Sequence, residues 1–228
     1  MPRTHPVYLE IGSKRVFAGA VDWPGWCRSG RDESAALGAL VEYGARYRAA
    51  IGRARSFTPP KGEAALRVVE RMRGNATTDF GAPAVAPASD EGPIAPAEAK
   101  RLAMLLNACW VAFDRAAEAA AGRILRKGPR GGGRDLGAMV WHVLEADLAY
   151  LGKLGGRRPS SDGAGVPAQT AAVRSELLDV FATRARGEPP PRTPRSGSLW
   201  LPRYAVRRSA WHALDHAWEI EDRVEPAR

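Results

Sequence analysis

Only four histidines occur among the 228 residues, and three of them fall in two segments with helical patterning. His212 and His216, in WHALDHAWEIEDR, are spaced i, i+4, so both imidazoles leave one helix face a turn apart. That spacing lets two nitrogens converge on one ion at about 2.0–2.1 Å. Ala205, Ser209, Ala213, Ala217 and Ile220 lie along the same side, a small, mostly apolar face that looks inward. His142, in LGAMVWHVLEADLAYL, borders the apolar stripe of the other segment. Two nitrogens from one helix and one from a neighbour make a three-histidine site with open positions for water or substrate. The competing reading makes them ordinary hydrogen-bonding residues of the core or surface. HxxxH alone leaves the two readings even, whereas three of four histidines on inner helix faces favours the metal.

Carboxylates and arginines surround these positions. Glu145, Asp215 and Glu219 each follow a histidine by three residues. Each is a candidate fourth ligand, partner orienting an imidazole, or general base, and each reads equally as a solvated helix charge. Glu219 stays closest to the ligand face and is the candidate catalytic group. Arg130 and Arg134, with the glycines of GPRGGGRD, precede the His142 segment, and Arg207 and Arg208 precede HxxxH by a turn. Arg130, Arg134 and Arg208 are candidates for holding an anion or substrate. The plainer readings are a glycine-rich helix terminator and a solvated basic face. Trp110, Trp141, Trp211 and Trp218 read as packing or interface residues, and Cys109 as a small buried one.

The elements that must position these groups are four helical segments. Pro96–Arg126 carries Leu102, Leu105, Leu106, Cys109 and Phe113 on its inner side, and Asp135–Leu154 carries Leu136, Met139, Val143, Leu144 and Leu151. Pro167–Arg186 and Pro202–Asp222 follow, and proline opens three of the four helices, where its missing N–H costs nothing. The first part reads differently. Val7–Ile11 and Arg15–Ala20 are β-prone runs split by Gly12-Ser13-Lys14, and an apolar helical pattern runs from Ala36 to Ile51. Ser29 with Asp32, or Asp32 itself, caps that helix. Ala65–Arg71 reads as a third strand or a short helix. The expected fold is mainly α: residues 1–73 form a small α+β lobe, 74–96 a surface connection, and 97–228 a four-helix bundle.

RDLGAMVWHVLEADLAYL and WHALDHAWEIEDR resemble the second- and fourth-helix motifs of the DinB-like superfamily. In that family one histidine from the second helix and HxxxH from the fourth hold a metal. The resemblance assigns the ligand role to His142, His212 and His216. It implies one divalent transition metal ion (Zn, Ni, Fe or Mn) and, for some members, a low-molecular-weight thiol used in S-transfer or isomerisation. A metal so placed lowers the pKa of a bound thiol or water. The first fifty residues resemble the HicB-like antitoxin fold, two strands and then a helix, which implies an accessory lobe expected to shape the substrate pocket or the dimer interface.

Composition narrows the function classes. The net charge is +9 and the pI about 10.1. Of 34 basic residues only five are lysine, and the arginines are scattered without a dense block, so nucleic acid is not an expected partner. Two cysteines far apart provide neither a disulfide framework nor a cysteine-based zinc site. No run of 18 apolar residues occurs and the first residues show no apolar signal core, so a cytoplasmic protein without membrane association is expected. The expected activity is a metal-dependent transferase or hydrolase acting on a small anionic substrate, in a homodimer. The alternative is a non-catalytic metal-binding protein that regulates or binds a partner.

Overall fold

The computed structural model describes residues 4–52, 56–127, 133–160, 163–193 and 198–225. The chain is mainly helical with a small four-stranded sheet. Strands β1 (His5–Ile11) and β2 (Val16–Ala20) pair antiparallel, with Ile11 opposite Val16. Gly12 N–H donates to Arg15 O at 2.9 Å to close the turn. The Asp79 carboxylate reinforces it, accepting from Ser13 Oγ at 2.6 Å and Lys14 N–H at 2.8 Å. β3 (Cys27–Gly30) adds antiparallel to β2, and β4 (Leu66–Arg73) adds parallel to β1, giving the order β3-β2-β1-β4. Of the two readings of the stretch after Ala65, the structure shows the strand. β4 alternates between exposed residues (Arg67, Val69, Arg71 and Arg73) and more buried ones because one face of the strand is in water. β3 was not expected from sequence: its four residues, CRSG, are too short and polar to show a pattern.

Asp32 caps α1 (Glu33–Glu42), its carboxylate accepting from Ala35 N–H at 2.8 Å. The expected continuous helix to Ile51 is broken at Tyr43, and α2 (Gly44–Ile51) follows. Gly44 sits against Pro60, whose Cδ would lie 2.8 Å from a β-carbon there, so the chain turns where the proline packs. The 74–96 stretch is more than a surface connection. It holds the short helix α3 (Ala76–Phe80), capped reciprocally by Asn75 and Thr78, and a single 3-10 turn at Ala88–Asp90. Two buried carboxylates anchor it. Glu10 accepts from the N–H groups of Ala84 at 2.9 Å and Val85 at 3.1 Å, and Asp90 pairs with Arg207 at 2.6 Å.

Four long helices complete the chain: α4 (Pro96–Ala119), α5 (Leu136–Leu154), α6 (Val166–Ala185) and α7 (Pro202–Arg223). α4 ends before the expected Arg126, and the chain then pairs Leu125 with Val224 in an isolated antiparallel bridge. Asp135 caps α5, accepting from Ala138 N–H at 2.7 Å, and Gly155, at φ +94°, ends it. α4 packs along α7, and α5 packs against both α6 and α7. One apolar core runs from Leu9, Trp26 and Tyr47 on the sheet side through Leu105 and Trp110 to Leu144, Leu177 and Leu214. The β-rich part and the long helices therefore bury their apolar surface together.

Candidate metal centre

α7 packs on α4 and α5, while its Trp211 meets Phe17 of β2 and its Asp215 meets Arg28 of β3, so most of its residues are buried. His212 and His216 lie on its α5 side with ring centroids 4.6 Å apart, and His142 of α5 meets them with its ring centroid 5.0 Å from each. Each imidazole offers one nitrogen, and the three atoms lie within 4.8 Å of one another. His142 Nε2 and His212 Nε2 are 3.2 Å apart. Two nitrogens that each bind one ion at about 2.0–2.1 Å, at angles near 90–110°, sit about 2.9–3.4 Å apart. The His142–His212 separation falls inside that window, and with the third nitrogen within 4.8 Å of both, the three histidines could hold a metal ion.

The surroundings hold the rings in a state suited to ligation. Glu219 Oε2 lies 2.9 Å from His216 Nδ1, so the carboxylate accepts from Nδ1–H and orients the ring. His212 and His216 are 6% and 8% exposed, and His142 is half-buried. Burial pushes the His142 pKa down to about 4, with His216 and Arg134 adding to the effect. Burial holds His212 well below the ordinary imidazole range, with His216 and Arg208 contributing. Both rings are therefore neutral at neutral pH, the form that binds a metal. His212 Nδ1 and Ser209 Oγ, three residues apart on α7, are buried with no hydrogen-bond partner among the described residues.

The other sequence candidates separate cleanly. Asp215 points to the sheet side and pairs with Arg28 at 2.8 Å, and Glu145 is exposed. Among the described residues no fourth His, Cys, Asp or Glu joins the three histidines. Arg207 faces neither substrate nor solvent: it is buried, bonded to Asp90 and to the carbonyls of Ala20 at 2.7 Å and Val21 at 3.2 Å. Arg208 lies over the rings of Trp211 at 4.6 Å and Tyr150 at 5.3 Å, with Nη1 buried and unpartnered. Arg134 is exposed, yet close enough to influence His142 and His212. Arg130 lies outside the described residues. Cys109 is buried with its thiol pushed up by desolvation, and Cys27 is pushed up to about 12, so neither is a nucleophile.

Three of the four tryptophans fill the interior of this chain. Trp110 and Trp218 join the main core and Trp211 packs edge-on against Phe17 at 6.0 Å, while Trp141 alone stays exposed. The sequence reading missed Arg223, whose Nη1 donates to Glu219 Oε1 at 2.6 Å. Its signal was the i, i+4 spacing from an acidic to a basic residue, which pairs side chains on one helix face. Tyr150, with its ring 5.8 Å from that of His212, was also missed. No protein-family model, curated protein or solved structure matches this chain.

Proposed function

We propose that the chain is a metal-dependent enzyme of the DinB-like type. In this reading His142, His212 and His216 hold one divalent transition ion, whether zinc, nickel, iron or manganese. The reaction proposed is thiol transfer to, or hydrolysis of, a small anionic substrate. The observation that carries the proposal is the convergence of three imidazoles from two helices, with His212 Nε2 3.2 Å from His142 Nε2. The packing of α4 on α7 and of α5 on α6 and α7 supports a four-helix bundle as the frame. The β-rich part packs on α7 and acts as an accessory lobe that steadies the site.

A divalent ion bound there supplies Lewis acidity and a depressed pKa for a coordinated thiol or water. The residues do the rest. Three protein nitrogens leave coordination positions free, whereas structural zinc sites are closed by four protein ligands. Glu219 keeps His216 oriented and its Nδ1 protonated. Arg134 and Arg208 place positive potential beside the triad, which favours an anionic substrate over a cationic one.

Elemental analysis of the purified protein should find about one transition metal per chain, as one three-histidine set predicts. The cobalt-substituted protein should show a visible spectrum that changes when a small thiol is added, because the thiol enters an open position. A cobalt spectrum indifferent to thiols would support the non-catalytic reading, with a closed structural site. Absence of metal, with no uptake after zinc or nickel is added, would remove both.

A further inference from the structure

We infer that Arg223 is a positioning residue that locks Glu219, and through it His216, to the chain on either side of the α4–α5 connection. The inference rests on the metal reading of the triad and extends it by one step outward. Arg223 is buried, and each of its three guanidinium nitrogens has its own acceptor. Nη1 donates to Glu219 Oε1 at 2.6 Å, Nε to Arg126 O at 2.8 Å, and Nη2 to Arg134 O at 2.9 Å. Glu219 divides its two oxygens, giving Oε1 to Arg223 and Oε2 to His216 Nδ1 at 2.9 Å. A rotation of that carboxylate breaks both bonds at once. The planar guanidinium therefore fixes the carboxylate, and the carboxylate fixes which nitrogen of His216 carries the proton and where its ring points.

The backbone closes the same joint. Arg126 N–H donates to Arg223 O at 2.8 Å, Glu225 N–H to Ile124 O at 3.1 Å, and Leu125 bridges Val224. Gly133, at φ +137°, lies so close that a β-carbon there would sit 2.6 Å from Arg223 Nη2. A side chain at position 133 has no room unless the guanidinium moves. The route from Arg126 and Arg134 to His216 is thus a continuous set of short hydrogen bonds through one buried cation. A lysine cannot reproduce it, since a single ammonium does not present three donors in a fixed plane.

The test is a double-mutant cycle read by competitive zinc titration. Glu219→Gln should lower zinc affinity about 10–100-fold, and Arg223→Lys should lower it about 5-fold or more. The double variant should be no weaker than Glu219→Gln alone, because Arg223 acts through Glu219. Losses that multiply, or wild-type affinity in Arg223→Lys, would overturn the inference. The second readout needs no metal: nitrogen NMR of metal-free protein should show His216 protonated at Nδ1 in the wild type and a mixture of tautomers in Arg223→Lys. An unchanged tautomer overturns the inference even where zinc does not bind, and a wild type that binds no zinc defeats the metal reading alone. Should Arg223→Lys not fold, hydrogen exchange decides. Zinc should slow the amides of residues 123–127 and 133–136 in the wild type and not in Glu219→Gln, and equal slowing in both refutes the link.

Discussion

Zinc should raise the melting temperature of the wild-type protein, and His142→Ala should remove most of that rise. His142 is the one nitrogen that α5 contributes, 3.2 Å from its neighbour on His212. At free zinc 100-fold above the dissociation constant, binding stabilises the fold by about 2.7 kcal/mol. Losing a direct ligand should cost at least the upper end of the roughly 10–100-fold measured for losing an orienting partner. At 100-fold weaker binding the same zinc contributes about 0.4 kcal/mol. The difference, about 2.3 kcal/mol, amounts to about 5–9 °C for a chain of this size. His142 is only half-buried, so the metal-free variant should stay within about 1 kcal/mol of the metal-free wild type. The comparison belongs near pH 7.5. Burial holds His142 down to about 4, so between there and the ordinary imidazole range the unfolded chain binds more protons than the folded one. Stability from this group is therefore present above that range and is lost on acidification. Scanning calorimetry with zinc and with chelator checks the result, and His212→Ala and His216→Ala should behave alike. If all three variants keep the full zinc-induced rise, the ion is held elsewhere and the functional reading fails. If His142→Ala melts several degrees lower without metal and keeps the zinc effect, His142 is a core histidine.

Two further outcomes test the frame around the site. Asp90→Ala strands the buried Arg207, whose ion pair measures 2.6 Å, and should cost about 3–5 kcal/mol by urea unfolding. The remaining bonds from Arg207 to Ala20 and Val21 argue for the lower end, and a loss under about 1 kcal/mol would show the pair to be dispensable. Burial, opposed by Arg174 at 3.6 Å, pushes Asp147 up to about 7, so the folded chain keeps a proton that the unfolded chain loses. The contribution of Asp147 to stability should then fall as pH rises from the ordinary aspartate range toward neutrality, by at most about 1.4 kcal/mol per pH unit and opposite in sign to that of His142. Asp147→Asn should remove that contribution, so its stability should rise more with pH than the wild type's, and parallel curves for the two proteins would refute the assignment.

The sequence made visible what local spacing controls. HxxxH on a helical pattern, a histidine at the edge of an apolar stripe, Asp135 before α5 and Pro202 at the start of α7 are each read within a few residues, and each stands where expected. Long-range pairing was not readable. Arg207 looked like half of a basic surface pair because Asp90, its partner, lies 117 residues away in a segment without periodicity. Asp215 looked like a ligand candidate because it follows His212 by three residues, but on a helix buried nearly all round, i+3 does not choose between faces, and Arg28 of β3 claims it. The break at Tyr43 followed the same logic, since the proline that packs on Gly44 comes from a separate segment. Arg223 was within reach of sequence reasoning. Its i, i+4 spacing from Glu219 places the two side chains on one helix face.

The character of α7 joins these points. Fifteen of its 22 residues are buried, among them Arg207, Ser209, His212, His216 and Arg223. A helix that polar is costly to place inside a protein unless its polar groups are met, since a buried polar atom left without a partner costs about 1–3 kcal/mol. Every guanidinium nitrogen of the two arginines has an acceptor: Arg207 bonds Asp90 and two carbonyls, Arg223 bonds Glu219 and two carbonyls. Three groups on this helix, Ser209 Oγ, His212 Nδ1 and Arg208 Nη1, have no hydrogen-bond partner among the described residues, and others without one lie at Trp110 of α4, Asp147 of α5 and Arg174 of α6. Each such group calls for an explanation of its own, and a ligand is one. The packing also serves the site, because a helix packed on α4 and α5, and tied to the sheet by Trp211 on Phe17 and Asp215 on Arg28, holds His212 and His216 in place before any ligand arrives.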